Sequence, residues 1–188
     1  MNTAEKLISS ARTLIIERGY HGFSYADVAD VVNIRKASIH HHFPTKSDLA
    51  QAVVEQSLSV IRAQIATLAA GAFDPKEQLG VYVAYWERCI STSTDPFCVA
   101  GILATELPSL PPALADVVRT HFADLSQWLE TVLTQGAAKQ QFLLKGSARQ
   151  EAESFLTTIY GAMLMARAFG NPRLFANVVG EAVGRLSV

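Results

Sequence analysis

Cysteine, long apolar runs and an excess of charge of either sign are all scarce in this 188-residue sequence. Two cysteines, Cys89 and Cys98, are too few for a disulfide framework or a four-cysteine metal site. The longest apolar stretches, such as residues 162–166, fall far short of the roughly 20 residues that span a bilayer. The amino-terminal segment is amphipathic and charged, unlike a signal peptide. We therefore expect a soluble, cytoplasmic protein with no membrane partner.

The charges nearly cancel over the whole chain, with 16 Lys and Arg against 17 Asp and Glu. This balance argues against a protein that binds nucleic acid with its entire surface. Locally, however, residues 31–47 contain no acid but hold Arg35, Lys36, Lys46 and three consecutive histidines. Such a window suits a surface that faces phosphates, although a chance gap in a solvated face would look the same.

Apolar residues recur at helical spacing through nearly the whole chain, and no period-2 strand pattern of useful length occurs. The first helix carries Leu7, Ala11 and Leu14 on one face and stops at Gly19. We predict an all-α fold of about nine helices, with a small N-terminal domain at residues 1–46 and a larger helical body at residues 47–188. The later helices are predicted at Tyr25–Val31, Arg35–His42, from Thr45 to Ala70, Pro75–Thr92, Pro96–Leu107, Pro112–Lys139, Ala148–Gly170 and Pro172–Leu186.

Two capping boxes are predicted in the N-terminal domain. Ser24 with Asp27 fits the pattern in which a hydroxyl and a carboxylate satisfy free amides at a helix start. Thr45 with Asp48 repeats the pattern at the start of the long fourth helix.

The segment between these boxes is predicted to hold two short helices. In the first, Val28 and Val31 are expected to face inward. Asn33 tolerates the left-handed backbone that a tight turn often needs. The second short helix starts at Arg35, and Pro44 closes it.

Two short helices joined by a three-residue turn and preceded by a longer helix make a helix-turn-helix. In this motif the second short helix enters the DNA major groove and its N-terminal residues reach base edges. Here those residues are Arg-Lys-Ala-Ser at 35–38, which offer two donors for guanine, a small residue and a hydroxyl. Ser24 and Lys46 lie at helix N-termini, where free amides and the helix dipole suit a phosphate.

Residues 23–29, residues 33–46 and Leu49 resemble the N-terminal domain of TetR/AcrR-type transcriptional regulators. The order and spacing of Phe-Ser-Tyr-Ala-Asp-Val-Ala and of Ile-Arg-Lys-Ala-Ser-Ile-His-His-His-Phe-Pro-Thr-Lys match the family. His40 and His42 stand where the family usually has tyrosine, and Asn33 stands where it usually has glycine. The resemblance covers about 45 residues strongly and extends more weakly to the total length and the helical body.

The resemblance implies a sequence-specific DNA-binding transcriptional regulator, a repressor that a small-molecule effector releases from its operator. It also implies a homodimer, paired through the last two helices, on a palindromic operator in double-stranded DNA. By resemblance, Arg35, Lys36 and Ser38 read bases, whereas Ser24, Lys46 and the histidines contact phosphates. The DNA-facing candidates are Ser24, Tyr25, Arg35, Lys36, Ser38, His40, His41, His42 and Lys46.

The C-terminal half is rich in aromatic residues, which at helical spacing are more often core than ligand site. A regulator nevertheless needs a cavity for its effector, and an apolar pocket with few polar groups is the usual small-molecule site. The predicted pocket residues are Tyr82, Tyr85, Trp86, Cys98, Trp128 and Tyr160.

Cys98 lies in a segment, residues 96–107, that is similar to the sixth helix of a TetR subgroup in which some members sense electrophiles or oxidants. A thiol near a helix N-terminus is more reactive than usual. A sensor of the same fold that uses Cys98 is therefore an alternative function, and an inert buried cysteine is the competing interpretation.

The last two predicted helices carry small and apolar residues suited to helix–helix packing across a two-fold axis. These residues are Thr157, Gly161, Ala162, Met165, Ala168, Leu174, Val178, Val179 and Ala182.

Other classes of function have little support in the sequence. Consecutive helical residues point about 100° apart, so the three histidines cannot converge on one metal ion, and nothing fixes His21 beside them. Glycine-rich phosphate loops, HExxH and GxSxG are all missing. We predict no enzymatic activity, no metal and no cofactor. A helical adaptor that does not bind DNA is the remaining alternative, and a pH-sensitive histidine interface is a further option.

Overall fold

The computed structural model describes residues 2–70, 73–92 and 97–188, and these residues form an all-helical protein. They contain nine α-helices and no strand; one isolated bridge pairs Phe142 with Ser187. The prediction of an all-α fold with about nine helices is confirmed. The helices are α1 (Thr3–Arg18), α2 (Tyr25–Val32), α3 (Lys36–His42), α4 (Lys46–Ala70), α5 (Pro75–Ser91), α6 (Val99–Thr105), α7 (Pro112–Ala138), α8 (Ala148–Ala168) and α9 (Pro172–Leu186).

The sixth helix is the one whose predicted bounds are wrong. It begins at Val99 because Cys98 has an extended backbone, with φ −67° and ψ 124°. It ends at Thr105, and Leu107–Ser109 forms a 3₁₀ turn, since Pro108 has no N–H with which to continue the α-helical hydrogen bonds. The predicted first residue, Pro96, lies outside the described residues.

Both predicted capping boxes are confirmed. The Ser24 hydroxyl accepts from the amide of Asp27, and the Asp27 carboxylate accepts from the amide of Ser24 at 2.7 Å. At the start of α4, the amide of Thr45 donates to the Asp48 carboxylate at 2.8 Å, and the amide of Asp48 donates to the Thr45 hydroxyl at 3.2 Å. Each cap of this kind is worth about 1 kcal/mol, so α2 and α4 have fixed starting points.

The turn between α2 and α3 is built on Asn33, which has the predicted left-handed backbone with φ 57° and ψ 52°. Val28 is fully buried as predicted, but Val31 is 65% exposed, so its inward placement is wrong. The buried face of α2 is centred between Val28 and Ala29. At about 100° per residue, Val31 lies roughly 110° from that centre.

Contacts between residues divide the chain into two compact units. The first unit, called here the N-terminal unit, holds the chain up to Arg62 together with Cys98–His121. Within it α1 contacts both α2 and α6, and α2 contacts α3. Its core contains fully buried side chains from α1, α3 and α4, among them Leu7, Ile15, Ile39 and Leu49. The predicted domain boundary at residues 46 and 47 stays a prediction.

The second unit, called here the C-terminal unit, holds Ala63–Phe97 and Phe122–Val188. Helix α9 packs on α8 and on α5, with Phe175 and Val179 fully buried. Two of the residues expected to face a partner, Ala162 and Val179, are instead buried in the subunit's own core. None of the helices in the described ranges is long and apolar enough to cross a membrane.

Gly136 and Gly80 form a matched pair of helical glycines in the C-terminal unit. A Cβ added at Gly136 would lie 2.1 Å from Cδ2 of the buried Phe142 ring, whereas one added at Gly80 would meet nothing within 4 Å. We expect Gly136→Ala to lower the free energy of unfolding by about 1–3 kcal/mol through overpacking. Gly80→Ala should raise it by up to about 1 kcal/mol through helix propensity. Urea unfolding at equal protein concentration measures both, and a stabilised Gly136→Ala would contradict the packing of Phe142.

Candidate DNA-binding surface

Helix α3 is held by one side chain and offers the rest of its surface to solvent. Ile39 is fully buried, and every other residue of Lys36–His42 is exposed. Arg35 is the N-cap residue and is also exposed, and its side chain makes no capping hydrogen bond. The three residues predicted to read bases, Arg35, Lys36 and Ser38, therefore all lie on the solvent side at the N-terminal end of α3.

A shallow hollow lies along this exposed face. It is lined by Thr3, Ile34, Ala37, Ser38, His41 and His42. Thr3 is the first residue of α1, so the start of that helix lies beside α3. Sequence reasoning missed Thr3, because a residue more than 30 positions before α3 carries no local signal of this neighbourhood.

Tyr25 ties the two ends of the helix-turn-helix together. Its hydroxyl donates to the carbonyl oxygen of Phe43 at 2.8 Å, and its ring packs edge-on against His40, with centroids 4.9 Å apart. Burial, followed by the charge of Asp48, raises the pKa of Tyr25 to about 12. The phenol therefore stays protonated at neutral pH and remains a hydrogen-bond donor.

The three histidines have different surroundings. His40 donates from Nδ1 to the carbonyl oxygen of Pro44 at 3.1 Å, which fixes its ring against the start of the α3–α4 loop. His41 and His42 are both exposed, and their ring centroids are 5.6 Å apart. No group of three His, Cys, Asp or Glu side chains within the described ranges is arranged to hold a metal ion.

Ser24 is exposed at the N-terminus of α2, where its hydroxyl also donates to Asp27 at 2.6 Å. Hydrogen bonds from the Ser24 side chain and backbone, with a smaller effect of Arg18, lower the pKa of Asp27. Arg18 reaches that carboxylate at 3.3 Å. The start of α2 therefore presents a hydroxyl and a guanidinium beside one compensated acid.

Lys46 occupies a half-buried position at the first turn of α4. Its ammonium donates to the carbonyl oxygen of Phe23 and lies 4.6 Å from the centroid of the Tyr20 ring and 4.3 Å from that of the Phe23 ring. Burial lowers the pKa of Lys46, and the charges of Glu106 and Asp27 act in the opposite direction. Its predicted contact with a phosphate stays a prediction.

The predicted pocket residues are divided between the two units. Cys98 belongs to the N-terminal unit, and the other five belong to the C-terminal unit. Among those five, the rings of Tyr82 and Trp128 pack edge-on with centroids 5.3 Å apart, and those of Tyr85 and Trp86 pack with centroids 5.0 Å apart. Tyr160 instead pairs with Phe122, at 5.0 Å.

Two indole N–H groups of this aromatic cluster are buried without an acceptor in the described part of the chain. They belong to Trp86 and Trp128. Buried polar groups nearly always have a partner, and leaving one unsatisfied costs about 1–3 kcal/mol. These two donors are therefore polar features of the cluster that the described part of the chain does not explain.

Cys98 is buried at the N-cap of α6 and Cys89 is buried in α5, and neither forms a disulfide. The buried position of Cys98 is the one that the inert-cysteine interpretation expects. The sensor alternative stays a prediction.

Glu106, just after α6, is the residue of this region that sequence reasoning missed. Its carboxylate accepts hydrogen bonds from the amides of Tyr20 and His21, at 2.6 and 3.3 Å. The Tyr20 contact spans 86 positions in the sequence, and a lone glutamate near a helix end gives no signal of so distant a partner.

Comparisons with known proteins agree with this geometry. Residues 7–53 match the family described as bacterial regulatory proteins, tetR family, and residues 75–180 match the tetracyclin repressor-like C-terminal domain. A solved TetR-family transcriptional regulator from Agrobacterium tumefaciens is 48% identical and superposes with a TM-score of 0.94, over 98% of this chain and 97% of that one.

Two curated relatives are more distant. The HTH-type transcriptional regulator CymR of Pseudomonas putida is 27% identical over 176 residues, which cover 87% of this chain and 76% of CymR. The transposon Tn10 TetC protein of Escherichia coli is 35% identical over 66 residues, so the match spans only 34% of TetC and 35% of this chain. With its two matched domains and its exposed helix α3, this chain belongs to the TetR family of bacterial regulatory proteins and is a DNA-binding transcriptional regulator.

Proposed function

We propose that the protein is a homodimeric repressor that binds a palindromic operator through α3 and leaves it when a small molecule binds the C-terminal unit. Repression and release by an effector are typical of the family. The family is regulatory rather than catalytic, and we propose no enzymatic activity for this chain. Its site of action is the cytoplasm, where bacterial operator DNA lies.

The observation that carries the DNA-binding part is the exposure of α3 in an acid-free window. All of its residues except Ile39 face solvent, and residues 31–47 contain no carboxylate to repel phosphates. Arg35 and Lys36 supply donors for guanine O6 and N7, and Ser38 supplies a hydroxyl. Bases are therefore read from the N-terminal end of α3, as in other helix-turn-helix proteins.

The remaining candidates are assigned to the DNA backbone and to the support of α3. Ser24, His41 and His42 are exposed and suited to phosphates. Tyr25 and His40 are bonded to the α3–α4 loop and support α3 in addition to any contact of their own. Lys46 has one donor engaged by Phe23, and an ammonium has three, so a phosphate contact is compatible with its position.

The dimer is proposed to form through α8 and α9. Large apolar side chains are exposed on both helices and at the end of α8: Leu164 and Met165 on α8, Phe169 at its C-cap, and Val178 on α9. Exposed apolar residues that form a contiguous patch often mark an interface. One α3 reads only a few base pairs, and a two-fold pair reads a palindrome with half-sites about one helical turn apart.

Exposed glycines on the same two helices support this assignment. A Cβ added at Gly161, Gly180 or Gly184 would meet nothing within 4 Å in the subunit. Helical glycine costs about 1 kcal/mol relative to alanine, so the fold of one subunit gives no reason for these residues. Close approach of a partner helix would give one.

The effector is proposed to bind at the aromatic cluster of the C-terminal unit, around Tyr82, Trp86 and Trp128. Rings at this spacing offer a large apolar surface. The buried indole N–H groups of Trp86 and Trp128 would each be satisfied by an acceptor on the ligand. The preferred effector therefore has an apolar body and hydrogen-bond acceptors.

Lys36→Ala tests the role of α3. Loss of a base contact should weaken binding to a palindrome selected from random DNA by about 10- to 100-fold, corresponding to about 1–3 kcal/mol. Base preference should relax at the contacted positions. Fluorescence anisotropy and a repeated selection measure the two effects. Lys76→Ala, at an exposed lysine of α5, is the charge-matched control and should change neither. Unchanged affinity and preference in Lys36→Ala would refute the assignment of α3.

Val178→Glu tests the dimer. Burying a carboxylate in an apolar interface is strongly unfavourable, so the variant should sediment as a monomer at concentrations where the wild type is a dimer. The control is Val81→Glu on α5, because Val178 and Val81 are similarly exposed, at 40% and 42%. Sedimentation velocity distinguishes the species. Equal behaviour of the two variants would exclude this part of α9 from the interface.

A further inference from the structure

The carboxylate of Glu106 joins the segment after α6 to the loop between α1 and α2. Oε2 accepts from the amide of Tyr20 at 2.6 Å, and Oε1 accepts from the amide of His21 at 3.3 Å. A second link lies beside it, because Nε2 of His21 and the hydroxyl of Ser109 are 3.0 Å apart. All four residues belong to the N-terminal unit.

The loop after α1 needs an acceptor of this kind. Helix α1 ends at Arg18 and Gly19 caps it, so the amides of Tyr20 and His21 lie beyond the helical hydrogen bonds. Tyr20 is itself buried, and a buried amide without a partner is costly. A charged acceptor makes each of these bonds stronger than one between neutral groups.

Gly19 makes room for the carboxylate. Its φ is +76°, and a Cβ added there would lie 2.8 Å from both carboxylate oxygens of Glu106. The residue thus meets two requirements at once, since it adopts a backbone that favours glycine and lets the carboxylate approach the main chain. The fit leaves Glu106 little freedom to shift while both amides remain bound.

Lys46 connects the same place to α4. Its ammonium is bonded to the carbonyl of Phe23, the residue before the N-cap of α2, and lies against the rings of Phe23 and Tyr20. The charge of Glu106 favours the protonated form of this half-buried amine. The end of α1, the start of α2 and the start of α4 are therefore held together around one carboxylate and one ammonium.

We propose that Glu106 is a positioning residue for DNA binding, which fixes the helix-turn-helix on α1 by holding the Tyr20 and His21 amides. This inference rests on the proposed function of α3. Two copies of α3 must enter successive major grooves in register, so a loosened α1–α2 loop costs specific binding. Binding to random DNA depends mainly on phosphate charge and tolerates looser geometry.

The test compares Glu106→Gln with Glu17→Gln, where Glu17 is an exposed residue of α1 in the same unit. Both variants remove one negative charge from a protein that binds a polyanion. Charge alone would therefore strengthen DNA binding slightly in both. Positioning predicts the opposite sign for Glu106→Gln. Binding to the selected palindrome should weaken about 10-fold or more, the equivalent of one charge-assisted hydrogen bond, while binding to a random duplex of equal length is kept.

A second variant, Glu106→Asp, keeps the charge and shortens the side chain by one methylene. Its carboxylate cannot reach both amides from the same backbone, so its affinity for the palindrome should also fall, and it carries the test alone if Glu106→Gln does not fold. Circular dichroism at the assay temperature, together with a thermal unfolding curve, identifies the variants that are folded under the assay conditions.

The inference is overturned if folded Glu106 variants bind the palindrome as Glu17→Gln does, or if they lose palindrome and random duplex to the same extent. A wild-type protein that binds no duplex at all would instead refute the proposed function. The positioning role is supported if the Glu106 variants bind the palindrome more weakly but keep their binding to the random duplex, while Glu17→Gln binds the palindrome as tightly as the wild type or slightly more tightly.

Discussion

A helix of seven residues has no stability of its own in water, and α3 depends on the burial of Ile39 for its place on the surface. This constraint explains why its surroundings are so heavily bonded. Tyr25 ties the residue after α3 to α2, and His40 ties α3 itself to Pro44. Asn33 turns the chain in a left-handed conformation without needing glycine. The exposed residues at the N-terminal end of α3 are therefore not needed to hold the helix in place, and they are available to contact DNA.

Acidic and basic side chains of the N-terminal unit are also divided between support of the helices and the exposed face of α3. The acids Asp27 and Asp48 lie on either side of residues 31–47, and they cap helices α2 and α4 by accepting hydrogen bonds from the amides of Ser24 and Thr45. Helix starts are stabilised by carboxylates, and here they are placed so that the exposed face of α3 keeps only basic and neutral groups. A net charge near zero is therefore compatible with binding to a polyanion.

Local signals in the sequence were sufficient for much of the fold. Capping boxes, the Asn33 turn and proline at helix starts act within four residues, and the structure confirms them at α2, α4, α5 and α9. Val31 shows the limit of such reasoning, because two valines three positions apart fit one helical face equally well until tertiary contacts choose its centre. Helix α6 shows another limit, since its start is set by the extended backbone of Cys98.

The candidate site divides in the same way. Residues of α3 could be predicted because the helix-turn-helix is contiguous, whereas Thr3 and Glu106 reach the region from distant parts of the chain. In the C-terminal unit, aromatic composition pointed to Tyr82 and Trp128. The burial of the Trp86 and Trp128 indole N–H groups without an acceptor in the described part of the chain depends on tertiary packing, which composition does not predict.

The N-terminal unit is discontinuous in sequence, with Cys98–His121 completing what the first 62 residues begin. A gene fragment that ends at residue 62 would lack the carboxylate that accepts the Tyr20 and His21 amides. A chimera made with a relative at a single crossover after residue 62 would therefore combine the helix-turn-helix of one protein with the Glu106 segment of the other. Exchange of the whole N-terminal unit between family members requires three crossovers, after Arg62, Phe97 and His121, so that Glu106 moves together with the amides that donate to it.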